Sequence, residues 1–109
     1  MIRNGQGYIK GLQAQAKKNV WIAGRKVDDV VADPHFKRPV ATIAELFDLQ
    51  CSTRHGVKMS GGSGNEAYGL SFLIPRSTED IVDRRNAMAV WANATFGMVG
   101  RSPDYCNRC

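Results

Sequence analysis

Ser77-Thr78-Glu79-Asp80-Ile81-Val82-Asp83-Arg84-Arg85-Asn86-Ala87-Met88-Ala89-Val90-Trp91-Ala92-Asn93-Ala94-Thr95-Phe96 reads as one long helix, and its reading decides the fold class. Ser77 with Asp80 resembles a capping box, with Asp in the place usually taken by Glu or Gln. Glu79 and Asp80 put negative charge in the first turn, where the helix dipole favours it. Ile81, Met88, Trp91, Thr95 and Met98 recur at helical spacing and are expected to line one face. The helix leads into Gly97-Met98-Val99-Gly100-Arg101-Ser102-Pro103-Asp104-Tyr105, in which Gly100 and Pro103 stop regular structure. A cation (Arg101), an anion (Asp104) and a phenol (Tyr105) thus follow a rigid stem, where binding and catalytic groups are commonly carried.

Working outward, Asn4 is placed to cap a helix over roughly Gly5 to Ala16, with Tyr8, Ile9 and Leu12 on its inner face. Val20-Trp21-Ile22 and Arg25-Lys26-Val27 flank Ala23-Gly24 and read as a small β-hairpin. Asp28-Asp29 and Asp33-Pro34 break the pattern before a second helix, from His35 or Phe36 to Leu49. In that helix Val40, Ile43, Ala44 and Phe47 share one face, and Thr42, Glu45 and Asp48 the other. Cys51 to Tyr68 is rich in Gly and Ser, and residues 53–66 read as a flexible loop without regular structure. Gly69 to Pro75 reads as a short extended segment. The fold class predicted is mainly α with a small β-hairpin, in one domain over residues 1–109.

Composition narrows the function classes. The chain is 43% hydrophobic and 23% charged, which is a globular balance rather than a disordered one. The net charge of +5 is scattered over Lys17-Lys18, Arg25-Lys26, Lys37-Arg38 and Arg84-Arg85 with acids between them, so nucleic acid is not expected as a partner. The longest apolar run, Ala87 to Ala92, is far shorter than a membrane span. The start lacks the apolar region of a secretory signal, and three cysteines, an odd number, suit a reducing compartment; the cytoplasm is expected. Asn93-Ala94-Thr95 matches a glycosylation sequon within a helix and is read as chance.

Most chemistry-bearing patterns have a plainer reading. Ser60 to Gly64 lacks the Gly-Lys-Ser/Thr ending of a phosphate loop, and Gly5-Gln6-Gly7 lacks the third glycine of a dinucleotide fingerprint. Cys106-Asn107-Arg108-Cys109 has the spacing of one metal knuckle, but Cys51, His35 and His55 do not complete a four-ligand site, so no metal is expected. His35 and His55 read as surface residues. Trp91, Phe96, Met88 and Met98 read as core rather than as a cofactor box. Arg101 and Tyr105 resist dismissal. Charge-assisted bonds from Arg101 and a hydroxyl from Tyr105 suit an oxyanion such as a phenolate or a carboxylate.

Phe72-Leu73-Ile74-Pro75-Arg76-Ser77-Thr78-Glu79-Asp80, Arg84-Arg85-Asn86-Ala87-Met88, Trp91 and the run from Gly97 to Tyr105 resemble the 4-hydroxyphenylacetate 3-monooxygenase oxygenase family. Met1-Ile2-Arg3, the Gly-x-x-Tyr-Ile helix, the Val-Trp-Ile-Ala-Gly hairpin and the Asp-Pro-His-Phe turn agree with it. The resemblance spans nearly the whole chain but only the N-terminal part of the family's length. It implies the N-terminal helical domain of an acyl-CoA-dehydrogenase-like fold, truncated before the β-barrel domain. It also implies a two-component flavin-dependent phenol hydroxylase, likewise a homo-oligomer when full length. A separate reductase supplies reduced FAD, O₂ is the co-substrate, and oxygen enters ortho to the phenol. The family's site Arg and Tyr fall on Arg101 and Tyr105, which on this resemblance bind the phenolic oxygen. The flavin contacts and the catalytic histidine are expected beyond residue 109; His35 and His55 do not match that histidine. A sister branch, 4-hydroxybutyryl-CoA dehydratase, is disfavoured because Ala94 to Gly100 holds none of its iron–sulfur cysteines. Two expectations follow: the 109 residues alone are inactive, and contiguous apolar surface around Met88, Trp91 and Met98 marks a piece of an enzyme. A closed core marks instead the rival, a small basic interaction module.

Overall fold

Asn4 opens the first helix as its sequence position requires. In the computed structural model, which describes residues 2–15, 19–52 and 57–98, the Asn4 Oδ1 accepts from the Gly7 N–H at 2.8 Å and α1 runs over Gly5–Ala14. Ala16, the expected end, lies outside the described residues. The chain packs as two compact units, Arg3–Asp48 and one that takes in Ile2 and the chain from Leu49.

In the first unit a β-hairpin follows α1. Strand β1 (Val20–Ile22) pairs antiparallel with β2 (Arg25–Val27) in the register Val20↔Val27, Trp21↔Lys26, Ile22↔Arg25. The turn residues Ala23 and Gly24 both have positive φ, 50° and 75°. That is the two-residue turn whose twist matches the strands. Val27 is buried and Trp21 exposed. Helix α2 (Lys37–Gln50) begins after a turn in which the Phe36 and Lys37 N–H groups donate to the Asp33 carbonyl. Pro39 sits in its first turn, where a missing N–H costs nothing.

Val40 and Ala44 on α2 are buried as expected. Ile43 is instead 38% exposed and Leu46 is buried in its place. The buried stripe is therefore turned from the one that periodicity suggested. Phe47 stacks on Tyr8 of α1, ring centroids 5.0 Å apart. Asp48, assigned by pattern to the polar face, has a specific task. Its Oδ1 accepts from the Gly5 N–H at 2.8 Å, placing a negative charge at the N-terminus of α1. Gly5 permits the approach: a Cβ there would lie 2.6 Å from the Ala44 carbonyl oxygen.

The second unit corrects the expectation of irregular chain over 60–65. Strand β3 (Ser60–Gly61) pairs antiparallel with β4 (Tyr68–Gly69), and a 3-10 turn, Gly64–Glu66, joins them. The glycines act here through close approach. The Tyr68 ring would lie 2.8 Å from a Cβ on Gly61. Residues 53–56 of the expected loop lie outside the described residues. The segment read as extended from Gly69 to Pro75 is also corrected. Leu70–Phe72 is a 3-10 turn, closed by the Leu73 N–H donating to the Leu70 carbonyl at 3.1 Å; the Leu70 N–H donates to the Met59 carbonyl at 3.0 Å and its side chain is buried, 2% exposed.

Helix α3 (Thr78–Ala94) is capped by Ser77, whose Oγ accepts from the Asp80 N–H at 3.2 Å. The return bond reaches one residue further back than in a standard box: Asp80 Oδ2 accepts from the Arg76 N–H at 2.9 Å. The buried face is Ala87, Trp91 and Thr95, at i, i+4 and i+8. Ile81 and Met98, expected on it, are 56% and 58% exposed. Ala87 and Trp91 meet Gln50, Met59 and Ser71 around a small void, so the packing of the 3-10 turn selects the stripe rather than the apolar count. Lys58, largely solvated, and Asp83, partly so, lie 3.8 Å apart and form an ion pair that adds little.

Candidate functional site

Arg101, Tyr105 and Asp104, the residues in which the sequence concentrates chemistry, lie outside the described residues, as do His55, Cys106 and Cys109. What is described is the stem that delivers the chain to them. Helix α3 ends in a Schellman turn. The Gly97 N–H donates to the Ala92 carbonyl at 2.8 Å and the Phe96 N–H to the Asn93 carbonyl at 3.4 Å. The Thr95 hydroxyl donates to the Trp91 carbonyl at 2.9 Å, and the Met98 N–H to the Thr95 carbonyl at 3.0 Å. The Trp91, Ala92 and Asn93 carbonyls at the end of the helix are thereby occupied.

That turn has an uncommon occupant. The left-handed position after the cap normally holds glycine, and here it holds Phe96, with φ of 52°. A side chain in this conformation costs about 1–2 kcal/mol. The Phe96 ring is 95% exposed. The stripe of Trp91, Phe96, Met88 and Met98 read as core is thus divided: Trp91 is buried, whereas Phe96 and Met98 face outward. Spacing did not reveal this, since the stripe continued past the residue where the helix stops.

A polar cluster missed by motif reading lies in the first unit. The Asp33 side chain, 5% exposed, accepts from Arg25 Nη2 at 2.8 Å and from the His35 N–H at 2.9 Å. His35 Nδ1 lies 3.4 Å from Oδ1, the oxygen that also accepts the His35 N–H, while Arg25 bonds Oδ2. The His35 N–H bond holds the Asp33 carboxyl below the usual carboxylate range; burial opposes this, and the Arg25 guanidinium reinforces it. The only sequence signal was Asp33-Pro34, read as a breaker. The cluster fastens the turn before α2.

Two grooves among the described residues present no cation to a flavin pyrophosphate. One groove, of about 420 Å³, lies wholly in the first unit and is lined by Leu12, Val20, Val27 and Phe36 with Asp28 and Asp29 on its lip. Acids there repel a pyrophosphate. A second, of about 540 Å³, lies wholly in the second unit between Leu49, Val57 and the Asn86, Val90 and Asn93 side of α3, and carries no cation. The N-termini of α1 and α3 are already occupied by Asn4, Asp48 and Ser77. Among the described residues no three His, Cys, Asp or Glu side chains gather as a metal site, and no helix is long and apolar enough to cross a membrane.

The profile of a family described as 4-hydroxyphenylacetate 3-hydroxylase, N terminal, matches residues 4–109. The chain belongs to this family. It is similar to the 4-hydroxyphenylacetate 3-monooxygenase oxygenase component of Thermus thermophilus, 40% identical over 107 residues that cover 98% of this chain and 22% of the relative. A crystal structure of the oxygenase component of 4-hydroxyphenylacetate 3-monooxygenase superposes with a TM-score of 0.85 at 40% identity, over 97% of this chain and 22% of that one. A structure of that component complexed with FAD and 4-hydroxyphenylacetate matches at 0.83 and 39% identity, over 95% and 22%. The chain therefore spans about a fifth of the length of the relatives it matches. The mainly helical class with a small hairpin, and the correspondence to the N-terminal part of such an oxygenase, agree with the sequence reading.

Proposed function

We propose that the chain serves as the N-terminal part of the oxygenase component of a two-component, FADH₂-dependent phenol hydroxylase, placing oxygen ortho to the hydroxyl of 4-hydroxyphenylacetate or a similar para-substituted phenol. The observation that carries this is the family match over residues 4–109, joined to a TM-score of 0.85 with an oxygenase component. Reduced FAD comes from a separate flavin reductase and O₂ supplies the oxygen. The two grooves among the described residues present no cation to the FAD pyrophosphate, and its contacts are assigned elsewhere in the oxygenase. The full-length enzyme is a homo-oligomer of the cytoplasm, with neither nucleic acid nor membrane as partner.

The chain's own contribution is one wall of the site. Arg101 holds the phenolic oxygen by a charge-assisted hydrogen bond and favours its ionised form, which raises electron density at the ortho carbon. Tyr105 donates to the same oxygen and fixes the ring's orientation. A Schellman turn at Phe96–Gly97 closes the rigid helix, and Arg101 follows four residues later in the sequence. The rival reading, a self-sufficient interaction module, requires a closed core. Phe72, Ile74 and Ile81 at 60%, 77% and 56% exposure favour part of a larger enzyme, although at a different place from the expected Met88–Trp91–Met98 patch, since Trp91 is buried.

The test is a hybrid in which these 109 residues replace the matching segment of the Thermus oxygenase component. Given a reductase with reduced nicotinamide as its electron donor, FAD and O₂, it is expected to convert 4-hydroxyphenylacetate to the catechol, and Arg101→Ala is expected to cut turnover about 100-fold with flavin affinity unchanged. Equal losses in turnover and flavin affinity argue against the role of Arg101. Catechol formed by the 109-residue chain alone, above the uncoupled background, overturns the assignment of a single wall.

A further inference from the structure

We propose that His35 is a proton-driven latch on the β1–β2 hairpin: on gaining a proton its ring leaves Arg25 for Asp33 and slackens the hairpin's tie to the turn that enters α2. The inference is independent of the reading under Proposed function and concerns residues of the first unit alone. Three observations carry it. First, two groups compete for one ring atom. His35 Nδ1 lies 3.3 Å from Arg25 Nη2 and 3.4 Å from Asp33 Oδ1. A guanidinium only donates and a carboxylate only accepts, so which of them Nδ1 serves depends on whether it carries a proton. Neutral, with its proton on Nε2, the ring accepts from Arg25. As an imidazolium it has no lone pair to offer, and its Nδ1–H meets a cation on one side and an anion on the other. A movement of about 0.5 Å brings Nδ1 to hydrogen-bond distance from Asp33.

Second, Asp33 is a fixed anion. Its side chain is buried, and the His35 N–H holds its carboxyl below the usual carboxylate range, so it stays ionised where imidazoles titrate. The same N–H bond, 2.9 Å to Oδ1, keeps the ring of that residue within reach. The other charged groups of the surrounding elements stand aside. Asp29 Oδ1 accepts from the Val31 N–H, whereas Asp28, Lys26, Lys37 and Arg38 are exposed. Helix α1 faces the adjoining groove with Leu12 and Gln13, both uncharged. Third, the latch has leverage. Among the described residues Arg25 is the side chain through which the hairpin hydrogen-bonds to that turn, at 2.8 Å to Asp33 Oδ2. Protonation of His35 removes the second acceptor of Arg25 and sets a like charge in its place. Both side chains are about half exposed and have room to part. Val27, two residues on from Arg25, and Phe36, next to His35, line the groove of about 420 Å³, so its width follows the tie.

Proton–nitrogen NMR of the nitrogen-labelled chain tests this from about pH 8 to about pH 5, the range in which imidazoles take up their proton. His35→Gln assigns the ring against that of His55. The expected result is a neutral His35 ring with its proton on Nε2, and Arg25 Nε and Val27 amide signals that move with the midpoint of the ring. His35→Gln is expected to lose that step. Arg25→Leu is expected to shift the neutral ring toward the Nδ1–H form, because Asp33 is then the partner left to it. A neutral ring protonated on Nδ1 in the wild-type chain overturns the inference. So do Arg25 or Val27 signals that stay still while the ring titrates, or that titrate alike in His35→Gln. None of these outcomes bears on the hydroxylase reading.

Discussion

At the scale of single residues, this chain is decided by contacts too specific for pattern to show. Gly5 is the clearest. Its N–H meets Asp48 and its missing Cβ leaves room for the Ala44 carbonyl. That neighbour is backbone and cannot swing aside, so Gly5→Ala is expected to destabilise by about 1–3 kcal/mol despite alanine's better helix propensity; urea denaturation measures it. Asp33 makes a prediction in pH. Its carboxyl is lowered in the folded state from an ordinary value of 3.8, first by the His35 N–H and then by Arg25, against an opposing push from burial. The folded state thus holds the proton less tightly than the unfolded chain. The stabilisation is complete above the unfolded value and is lost as pH falls from there through the lowered folded value. Wild type should therefore show a urea midpoint that drops on acidification below about pH 4, and Asp33→Asn a flatter dependence in that window from a lower starting point. Equal slopes for the two proteins would remove Asp33 as the cause.

At the scale of elements, legibility followed the local character of the signal. The Asn4 and Ser77 caps, the Ala23–Gly24 turn and the extents of α2 and α3 were written in adjacent residues, and the structure places them within one or two positions of expectation. Which stripe of each helix is buried was not. Ile43 and Ile81 yielded to Leu46 and Ala87 because the packing partner selects the stripe, and here a 3-10 turn at Leu70–Phe72 does so for α3. The glycine-rich run misled for a related reason. Composition reads glycine as freedom, whereas Gly61 lets Tyr68 close over β3. The cap of α3 gives the test at this scale. Ser77 Oγ satisfies the Asp80 N–H, and Asp80 Oδ2 accepts in turn from the Arg76 N–H. Ser77→Ala should cost about 1 kcal/mol by denaturant midpoint, with unchanged slope, while Ser77→Asp should restore most of it by pairing the same N–H and adding charge at the positive end of the helix.

At the scale of the whole molecule, the family was legible because Gly97 to Tyr105 and the segment from Phe72 to Asp80 are specific runs, and the comparisons place the family where they did. The geometry of Arg101 and Tyr105 was not, because a motif fixes identity and order but not the wall opposite. The surface speaks to that wall. Phe72, Ile74, Ile81 and Val82 stand around the start of α3 at 60%, 77%, 56% and 47% exposure, in a chain whose +5 charge is scattered and too small to keep copies apart at ordinary salt. In water such surface is unfavourable by roughly 25 cal/mol for each Å² left exposed, and copies of the chain can remove it from solvent only against one another. The 109-residue chain is therefore expected to self-associate, its sedimentation coefficient rising with concentration and falling back on addition of salt-free urea below the unfolding midpoint. Ile74→Lys with Ile81→Lys should shift it to monomer without lowering Tm, because both side chains are already in solvent and lose no packing. In the hybrid oxygenase the same pair should instead lower Tm, if the rest of the enzyme covers this face. A wild-type chain that sediments as monomer at every concentration would show that the exposed apolar groups are too dispersed to act as a surface.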